Sequence, residues 1–404
     1  MKKKINPIVK WWVTPKLPYE DIFEKHNFFT QWIIHPIKRR LARSYLRFLK
    51  KYTDIKIIGV TGSDGKSTTV QMIYSILKEV DKTVSTPPSI DPVYNIPNTI
   101  LRTSPRTKFL ILEMSVEYKN EMDYYLWLAK PDVALVINIY PTHTQFFGNT
   151  KGVYEEKKKI ATVLNKDDIC ILNKENKWTK KIAGGTSAKV LWFGNGSKVN
   201  ATNIKMRGFH SNFNLNFDGE MSKISMKVPG KIFVENAVAA SAVAKALSID
   251  LESIKIGLDG FEAPKQRMSI IKSKKGYVVL DESYNSNPKA LEESLKVFVE
   301  LAKERTKIAV LGDMLELGSL EEKEHAKIGR SLSKMGVDYL VAVGKASEVM
   351  AEEASKKMGK TNVFWSENAK GVAKVLEGIP TKNSLILIKG SRSIGLERVV
   401  SEIA

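Results

Sequence analysis

The clearest chemical signal in the chain is Gly59-Val-Thr-Gly62-Ser-Asp-Gly65-Lys66-Ser67-Thr68-Thr69, which follows a strand-like apolar run and precedes a helical one. The glycines let the backbone curl until several N–H groups face one point, and a helix N-terminus adds partial positive charge there. That is a cradle for phosphate. Gly62, Ser63, Gly65 and Thr68 belong to the loop, Lys66 would reach β- and γ-phosphates, and Ser67 would offer its hydroxyl to Mg²⁺. The strict Walker pattern wants glycine at position 60, which is Val60 here. Asp64 adds negative charge to the loop and is expected to point outward.

Two further candidates sit where the next strands should end. Glu113 closes Phe109-Leu-Ile-Leu112, and His143 follows Val133–Asn138 by a short loop. In an open α/β sheet both would lie at the carboxyl edge, where ligands bind. There they suit Mg²⁺ coordination at a nucleotide. A histidine in a loop also reads as an ordinary surface residue. Lys157 interrupts an apolar face formed by Val153, Ile160 and Leu164 in a helix beginning near Gly152. A desolvated lysine there would lose its proton easily and become nucleophilic, able to capture CO₂ as a carbamate. Alternatively its stem lies along apolar surface while the ammonium reaches water.

The elements that must hold these residues are legible as alternation. Strand candidates at Ile55–Val60, Phe109–Leu112 and Val133–Ile137, separated by helical stretches, indicate an α/β domain with a largely parallel sheet. A polar, β-prone stretch follows near 189–228, then an Ala-rich helix at about 235–247. A second α/β series begins near 268, with strands expected at Tyr277–Leu280, Lys307–Leu311, Tyr339–Val343, Val363–Trp365 and Leu385–Ile388. The division is a basic aromatic segment 1–54, a nucleotide-binding domain 55–267, and a Rossmann-like domain 268–404.

Composition narrows the class. Of 404 residues, 43 % are hydrophobic and 27 % charged, which excludes a wholly disordered or collagen-like chain. The single cysteine, Cys170, excludes a disulfide framework and a Cys-rich zinc site, and fits a reducing, cytoplasmic setting. It lies in an apolar strand run and is expected to be structural. The formal charge is +20, and residues 1–54 contribute 13 Lys/Arg against 4 Asp/Glu, with 10 aromatic side chains. Pro7, Pro15, Pro18 and Pro36 keep helices short, except at 37–52. There Ile37, Leu41, Leu46, Phe48 and Leu49 alternate with seven basic residues. This stripe suits either an anionic bilayer at the inner membrane face or packing against the domain that follows. No recognisable nucleic-acid module accompanies the charge, so no nucleic-acid partner is expected.

Beyond these readings, the residues resemble a family, the ATP-dependent Mur ligases of cell-wall synthesis. The likeness rests on Thr61-Gly-Ser-Asp-Gly-Lys-Ser67, on Asn138…His143…Phe147-Gly148…Lys157, and on Asn120-Glu-Met122 after Leu112-Glu-Met114. It also rests on Asp281-Glu-Ser-Tyr-Asn-Ser-Asn-Pro288 and Val310-Leu-Gly-Asp-Met-Leu-Glu-Leu-Gly318. It covers about 55–404 and points to the branch that adds D-alanyl-D-alanine to a muramoyl tripeptide. The resemblance implies that Lys157 is carbamylated, that Asn236 and Arg267 contact the nucleotide, and that Asp281 contacts the ribose. Tyr284, Asn285 and Asn287 would line the nucleotide side of the C-terminal domain. Lys389-Gly-Ser-Arg392 would lie near the acceptor or incoming amine. Asn285-Ser-Asn287-Pro288 is equally a turn and helix cap.

The implied chemistry is amide-bond formation through an acyl phosphate, with ATP and Mg²⁺. Lys66 would position the triphosphate, Glu113 would hold one Mg²⁺, and His143 with carbamylated Lys157 would hold a second. The expected partners are ATP, a peptide-bearing cell-wall precursor and an amino acid or dipeptide, acting on a monomer. Two departures bear on the acceptor. Gly230-Lys-Ile-Phe233 replaces the family's Gly-x-His-Asn, and the 54 N-terminal residues stand where the branch carries a uridine-binding domain. A lipid-linked or other acceptor is therefore an alternative, as is a non-catalytic nucleotide-binding scaffold at the membrane.

Overall fold

The computed structural model describes residues 29–403 apart from Ser89 and His143. The expectations for residues 1–28 and for His143 fall outside the described residues. Internal contacts divide the chain into two compact units, one mainly up to Phe261 and the other mainly from Glu262 onward.

The first unit is built on a sheet whose strands are β1 (Lys56–Thr61), β2 (Thr83–Ser85), β3 (Phe109–Glu113), β4 (Val133–Val136), β5 (Ile169–Asn173), β6 (Lys189–Phe193), β7 (Val199–Arg207), β8 (His210–Phe217) and β9 (Glu220–Met226). Their spatial order is β2-β3-β1-β4-β5-β6-β7-β8-β9, and every pair from β2 to β6 is parallel. Strand β1 is the centre, because the chain passes to β2 and β3 on one side of it and to β4 on the other. This is the topological switch point at which open α/β sheets bind ligands. Registers Val60↔Glu113 and Thr61↔Val136 bring the ends of β1, β3 and β4 level.

Its helices include α1 (His35–Tyr52), α2 (Lys66–Leu77), α3 (Pro92–Leu101), α4 (Glu121–Leu128), α5 (Thr150–Lys157), α6 (Lys159–Thr162), α7 (Lys231–Ala246) and α8 (Leu251–Asp259). Apolar strands buried on both faces need helices on both sides. Helix α8 meets α2 closely enough that a Cβ on Gly257 would lie 2.5 Å from Ile76 Cα, so only glycine fits there. Helix α3 tolerates Pro97 in its interior because Val93, whose carbonyl the missing N–H would have bonded, accepts instead from the Tyr124 hydroxyl at 3.3 Å.

Helix α1 resolves the reading of the 37–52 stripe into two faces. Ala42, Leu46 and Leu49 are buried in the same core as Ile57, Val93 and Leu110. Arg39 is also buried, its guanidinium 5.4 Å from the Tyr124 ring centroid. Ile37, Leu41 and Phe48 instead face outward and are exposed.

The second unit carries β10 (Ser269–Lys272), β11 (Val278–Glu282), β12 (Thr306–Gly312), β13 (Tyr339–Val343), β14 (Val363–Ser366) and β15 (Ser384–Lys389), in the order β10-β11-β15-β12-β13-β14. Only the β10–β11 pair is antiparallel. The fold class read from the sequence, α/β with mostly parallel sheets, is what the chain adopts. Registers Glu282↔Lys389 and Leu311↔Lys389 bring the carboxyl ends of β11, β15 and β12 to one edge.

The two faces of α1 make a paired test. Leu46→Ala leaves a cavity in the core and should cost about 2–4 kcal/mol, whereas Leu41→Ala on the outer face should change stability by less than about 0.5 kcal/mol. Urea denaturation measures both. Equal losses would contradict the burial of one face alone.

Candidate nucleotide site

The loop between β1 and α2 is shaped by backbone and by one side chain that the sequence reading named in a motif without a structural role. Gly65, at φ 80°, is the left-handed residue from which α2 starts at Lys66, and no acidic residue occupies the first turn of that helix. Asn138, just past β4, accepts from the Ser63 and Asp64 N–H groups at 3.0 and 2.9 Å and donates to the Asp64 carbonyl at 3.2 Å. One carboxamide thus clamps the loop on both sides. Ser63 Oγ donates to Tyr140 O at 3.0 Å and accepts from Tyr140 N at 2.9 Å, tying the same loop to the segment before His143. Lys66 Nζ rests on Ser63 O at 3.1 Å. The expectation for Asp64 is corrected: it is half-buried and close enough to Lys157 to raise that lysine's proton affinity.

Asn236, in the N-terminal half of α7, is buried against this loop. Its Oδ1 would stand 2.4 Å from a Cβ at position 65, which leaves room only for glycine. That oxygen, like Thr69 Oγ1, is buried and finds no hydrogen-bond partner among the described residues. A buried carboxamide oxygen left unpaired is costly unless a ligand completes it. Ser67 and Thr68 are buried at the start of α2. Glu113 ends β3, half-buried, and its N–H donates to Thr86 Oγ1 at 2.9 Å. The loop from Thr86 is itself braced by Asn95 Nδ2 donating to Pro87 O at 2.9 Å.

Lys157 is 1 % exposed, so the reading in which its ammonium reaches water does not hold. The helix expected from Gly152 through Leu164 is also broken, with α5 ending at Lys157 and α6 starting at Lys159. Lys157 therefore stands at a helix terminus among Val153, Ile160 and Leu164, all buried. Burial, and then the like charge of Lys66, push its pKa down to about 7, against the opposing pull of Glu121, Asp64 and Glu156. Glu121 and Glu156 are themselves buried and held by backbone: Glu121 accepts from the Glu117 and Tyr118 N–H groups, Glu156 from those of Asn120 and Met122. Cys170, on β5, is buried with its thiol pushed up to about 12, which makes it an inert packing residue.

Among the described residues no three His, Cys, Asp or Glu side chains converge as a ready metal cage. The donors present are Ser67, Glu113 and a neutral-prone Lys157. Ser67 and Glu113 offer the oxygen ligands that Mg²⁺ takes, few in number beside waters and phosphate oxygens, whereas an unmodified Lys157 amine offers none.

In the second unit the remaining candidates gather on one edge. Asp281 Oδ1 accepts from Ser283 N at 3.1 Å and Ser283 Oγ at 2.6 Å, and burial raises its pKa. Tyr284 lies under the Arg267 guanidinium at 4.0 Å and near that of Arg392 at 5.0 Å. Asn287 caps the helix Pro288–Ala302, its Oδ1 accepting from Ala290 N at 2.9 Å, so the turn-and-cap reading holds. Asn285 Oδ1 accepts from Ser286 N, and its carbonyl accepts from Lys389 Nζ at 3.0 Å. Lys389, buried, also pairs with Glu282 at 3.3 Å. Asp313, from the Gly312–Gly318 stretch, accepts from Ser347 N at 2.7 Å and Ser347 Oγ at 2.6 Å. Ser391 N donates to Asp313 O at 2.9 Å. His325, which sequence reading overlooked, accepts from Met314 N at 2.9 Å and fixes the same stretch.

A glycine-shaped loop at the switch point of a parallel sheet, with a lysine opening the next helix, defines a P-loop nucleotide-binding protein. Comparison with known proteins narrows this. The Mur ligase middle domain model matches residues 60–244, and the Mur ligase glutamate ligase domain model matches 266–392. The UDP-N-acetylmuramoyl-tripeptide--D-alanyl-D-alanine ligase of Bacillus subtilis is 30 % identical over 373 residues, covering 90 % of this chain and 78 % of the relative. Its Escherichia coli counterpart is 29 % identical over 357 residues, 87 % and 78 % respectively. Among solved structures, MurF from Acinetobacter baumannii superposes with a TM-score of 0.81 at 27 % identity, covering 91 % of this chain and 80 % of that one. MurF from Thermotoga maritima in complex with ADP shares the fold, with a TM-score of 0.79 at 23 % identity and coverage of 91 % and 83 %. The chain belongs to the Mur ligases, ATP-dependent amide ligases that use Mg²⁺.

Two outcomes follow from the clamp and the buried lysine. Asn138→Ala strands two loop N–H groups and should raise the KM for ATP several-fold while costing about 1–3 kcal/mol of stability. For Lys157, the folded pKa lies near 7 and the ordinary value is 10.5, so the unfolded chain binds more protons between them. Stability should therefore rise with pH across that window, by at most about 1.4 kcal/mol per unit, and Lys157→Met should remove that slope. Denaturation at several pH values in CO₂-free buffer reads the difference between the two proteins.

Proposed function

We propose that this chain joins D-alanyl-D-alanine to a muramoyl tripeptide, activating the acceptor carboxylate as an acyl phosphate at the expense of ATP. The observation that carries the reading is the burial of Lys157 within electrostatic reach of Lys66, at the sheet edge that holds the phosphate loop. The relatives that align over most of the chain are ligases of this specificity.

The residues divide the work by position. Loop N–H groups and Lys66 hold the β- and γ-phosphates and offset charge as the γ-phosphoryl group moves to the acceptor carboxylate. Asn236 supplies the acceptor oxygen that the loop leaves open. Mg²⁺, when bound, would neutralise phosphate oxygens, and Ser67, Glu113 and Lys157 are the residues that would hold it, with His143 added on family likeness. The roles of Arg267, Asp281, Tyr284, Asn285 and Asn287 toward the nucleotide rest on that likeness as well. The amine of the dipeptide then attacks the acyl carbon and phosphate leaves, so no covalent enzyme intermediate is required.

Lys157 is assigned a carbamate. A neutral amine attacks CO₂, the N–C bond forms, and a proton leaves, converting a group that repels Lys66 into an anion that attracts it. The lowered pKa supports this, because burial and the charge of Lys66 favour the neutral, nucleophilic amine. The carbamate would then serve as a metal-facing anion.

The test is phosphate release with ATP, Mg²⁺ and D-alanyl-D-alanine, with UDP-linked and lipid-linked muramoyl tripeptide in separate arms. Turnover with neither acceptor would reject the reading. Lys66→Ala should abolish turnover with the fold intact. Lys157→Ala should be inactive and partly restored by short-chain carboxylates, while ¹³C-bicarbonate should give a carbamate resonance in the wild type that the variant lacks. Full activity of Lys157→Ala would remove the lysine from the mechanism.

A further inference from the structure

A surface helix that packs on one domain needs one apolar face, and α1 has two. On a wheel of 100° per residue, Ile34, Ile37, Leu41, Phe48 and Tyr52 fall within about 60° of one another, their centre turned by roughly 110° from that of the core-facing Ala42, Leu46 and Leu49. These outer residues are large and uncovered: Ile37 is 49 % exposed, Leu41 57 %, Phe48 51 % and Tyr52 63 %. Phe48 and Tyr52 lie against each other at 4.9 Å between ring centroids, forming one aromatic patch on that face.

The charges are sorted to match. Basic residues on the inward side are engaged with the first unit: Arg43 Nε donates to Trp127 O at 2.8 Å with its guanidinium over that ring, and Lys50 pairs with Asp132 at 2.8 Å. Lys38, Arg47 and Lys51 instead line the rims of the outer stripe, with Lys51 Nζ 5.1 Å from the Tyr52 ring. From Phe29 to Thr53 the sequence contains seven basic residues and no acidic one.

We propose that the outer face of α1 is a docking surface for an anionic lipid bilayer, with the helix lying in the plane of the interface. Leu41, Ile37 and Phe48 enter the headgroup–acyl boundary, Tyr52 sits at headgroup depth, and Lys38, Arg47 and Lys51 contact lipid phosphates. A second copy of the chain is a poorer occupant, because a two-fold contact through this face would set the same basic rims against each other. The Leu46 side of α1 remains in the core, so docking requires no unfolding. This placement is independent of which acceptor the ligase uses.

Flotation of the full chain with vesicles tests it, comparing phosphatidylcholine alone with a mixture containing phosphatidylglycerol, at low and high salt. The wild type should float with the anionic vesicles and lose binding as salt rises. Leu41→Glu/Phe48→Glu should weaken binding at least tenfold, and Lys38→Gln/Arg47→Gln/Lys51→Gln should weaken it and flatten the salt dependence. Thermal unfolding and ATP turnover should match the wild type in both variants. No flotation with anionic vesicles overturns the proposal. So does wild-type binding by Leu41→Glu/Phe48→Glu, which would place the attraction elsewhere on the chain. Concentration-dependent self-association in light scattering that this variant abolishes would make the face a contact between copies, and the lipid reading would fail.

Discussion

A buried lysine within electrostatic reach of a half-buried one forms the constraint around which the first unit is organised. Lys66 must be charged to meet a triphosphate, and Lys157 is buried where that charge reaches it. Two ammonium groups at such a place repel, and burial penalises the charge on Lys157. The sequence answers with carboxylates, but Glu121 and Glu156 are spent on backbone N–H groups at the start of α4 and just before it. Their partial relief leaves Lys157 poised near neutrality rather than firmly protonated. The protein groups alone leave the charge on Lys157 only partly compensated. The unpaired Asn236 oxygen makes the same point in hydrogen bonds.

The sheet topology explains why these groups meet at all. Residues as distant in sequence as Lys66, Glu113 and Asn138 converge because β1 lies between β3 and β4 and all three run parallel. Each strand therefore delivers its following loop to the same edge. The second unit repeats the device, placing the Asp281–Pro288, Gly312–Gly318 and Lys389–Arg392 stretches at one edge through β11, β12 and β15. There the stitching is ionic and buried, with Lys389 joined to Glu282 and to the Asn285 carbonyl. Removing either partner of such a pair leaves a buried charge alone, which costs more than the pair itself contributes.

What the sequence made legible follows from where local rules and tertiary structure agree. The phosphate loop, the buried β1, β3 and β4 runs and the parallel strands of the second unit carry strong local signals and form within a residue or two of their expected bounds, whereas the antiparallel edge strand β10 was not expected. Helix α3 has no counterpart among the sequence expectations, and the Tyr124 hydroxyl that donates to the Val93 carbonyl opposite Pro97 is a long-range partner that no local pattern contains. Asn138 was read as part of a motif but not as a clamp, since its partners lie 74 and 75 positions away. The burial of Lys157 was the least decidable from spacing. An apolar face interrupted by lysine looks identical whether the head finds water or not, and only the tertiary burial of Lys157 decides it.

Helix α1 shows how composition can conceal two faces in one stripe. A count of apolar and basic residues over 37–52 gives a single amphipathic helix, because Leu46 and Leu49 cannot be told from Leu41 by residue type. Only the core distinguishes them, taking Ala42, Leu46 and Leu49 and leaving Ile37, Leu41 and Phe48 outside. Exposed apolar surface of this kind lowers solubility, and a helix needed only as a strap would be expected to carry polar residues there. The inward basic residues fit the same division, since Arg39 and Arg43 stack on Tyr124 and Trp127 while Lys38, Arg47 and Lys51 stay at the outer rims. Buried Arg39 and half-buried Arg43 fasten the helix to the first unit by cation–π contact, with a hydrogen bond from Arg43 to the Trp127 carbonyl, which fixes the rotation of α1 about its axis. Fixing that rotation is what holds the outer stripe facing away from the core.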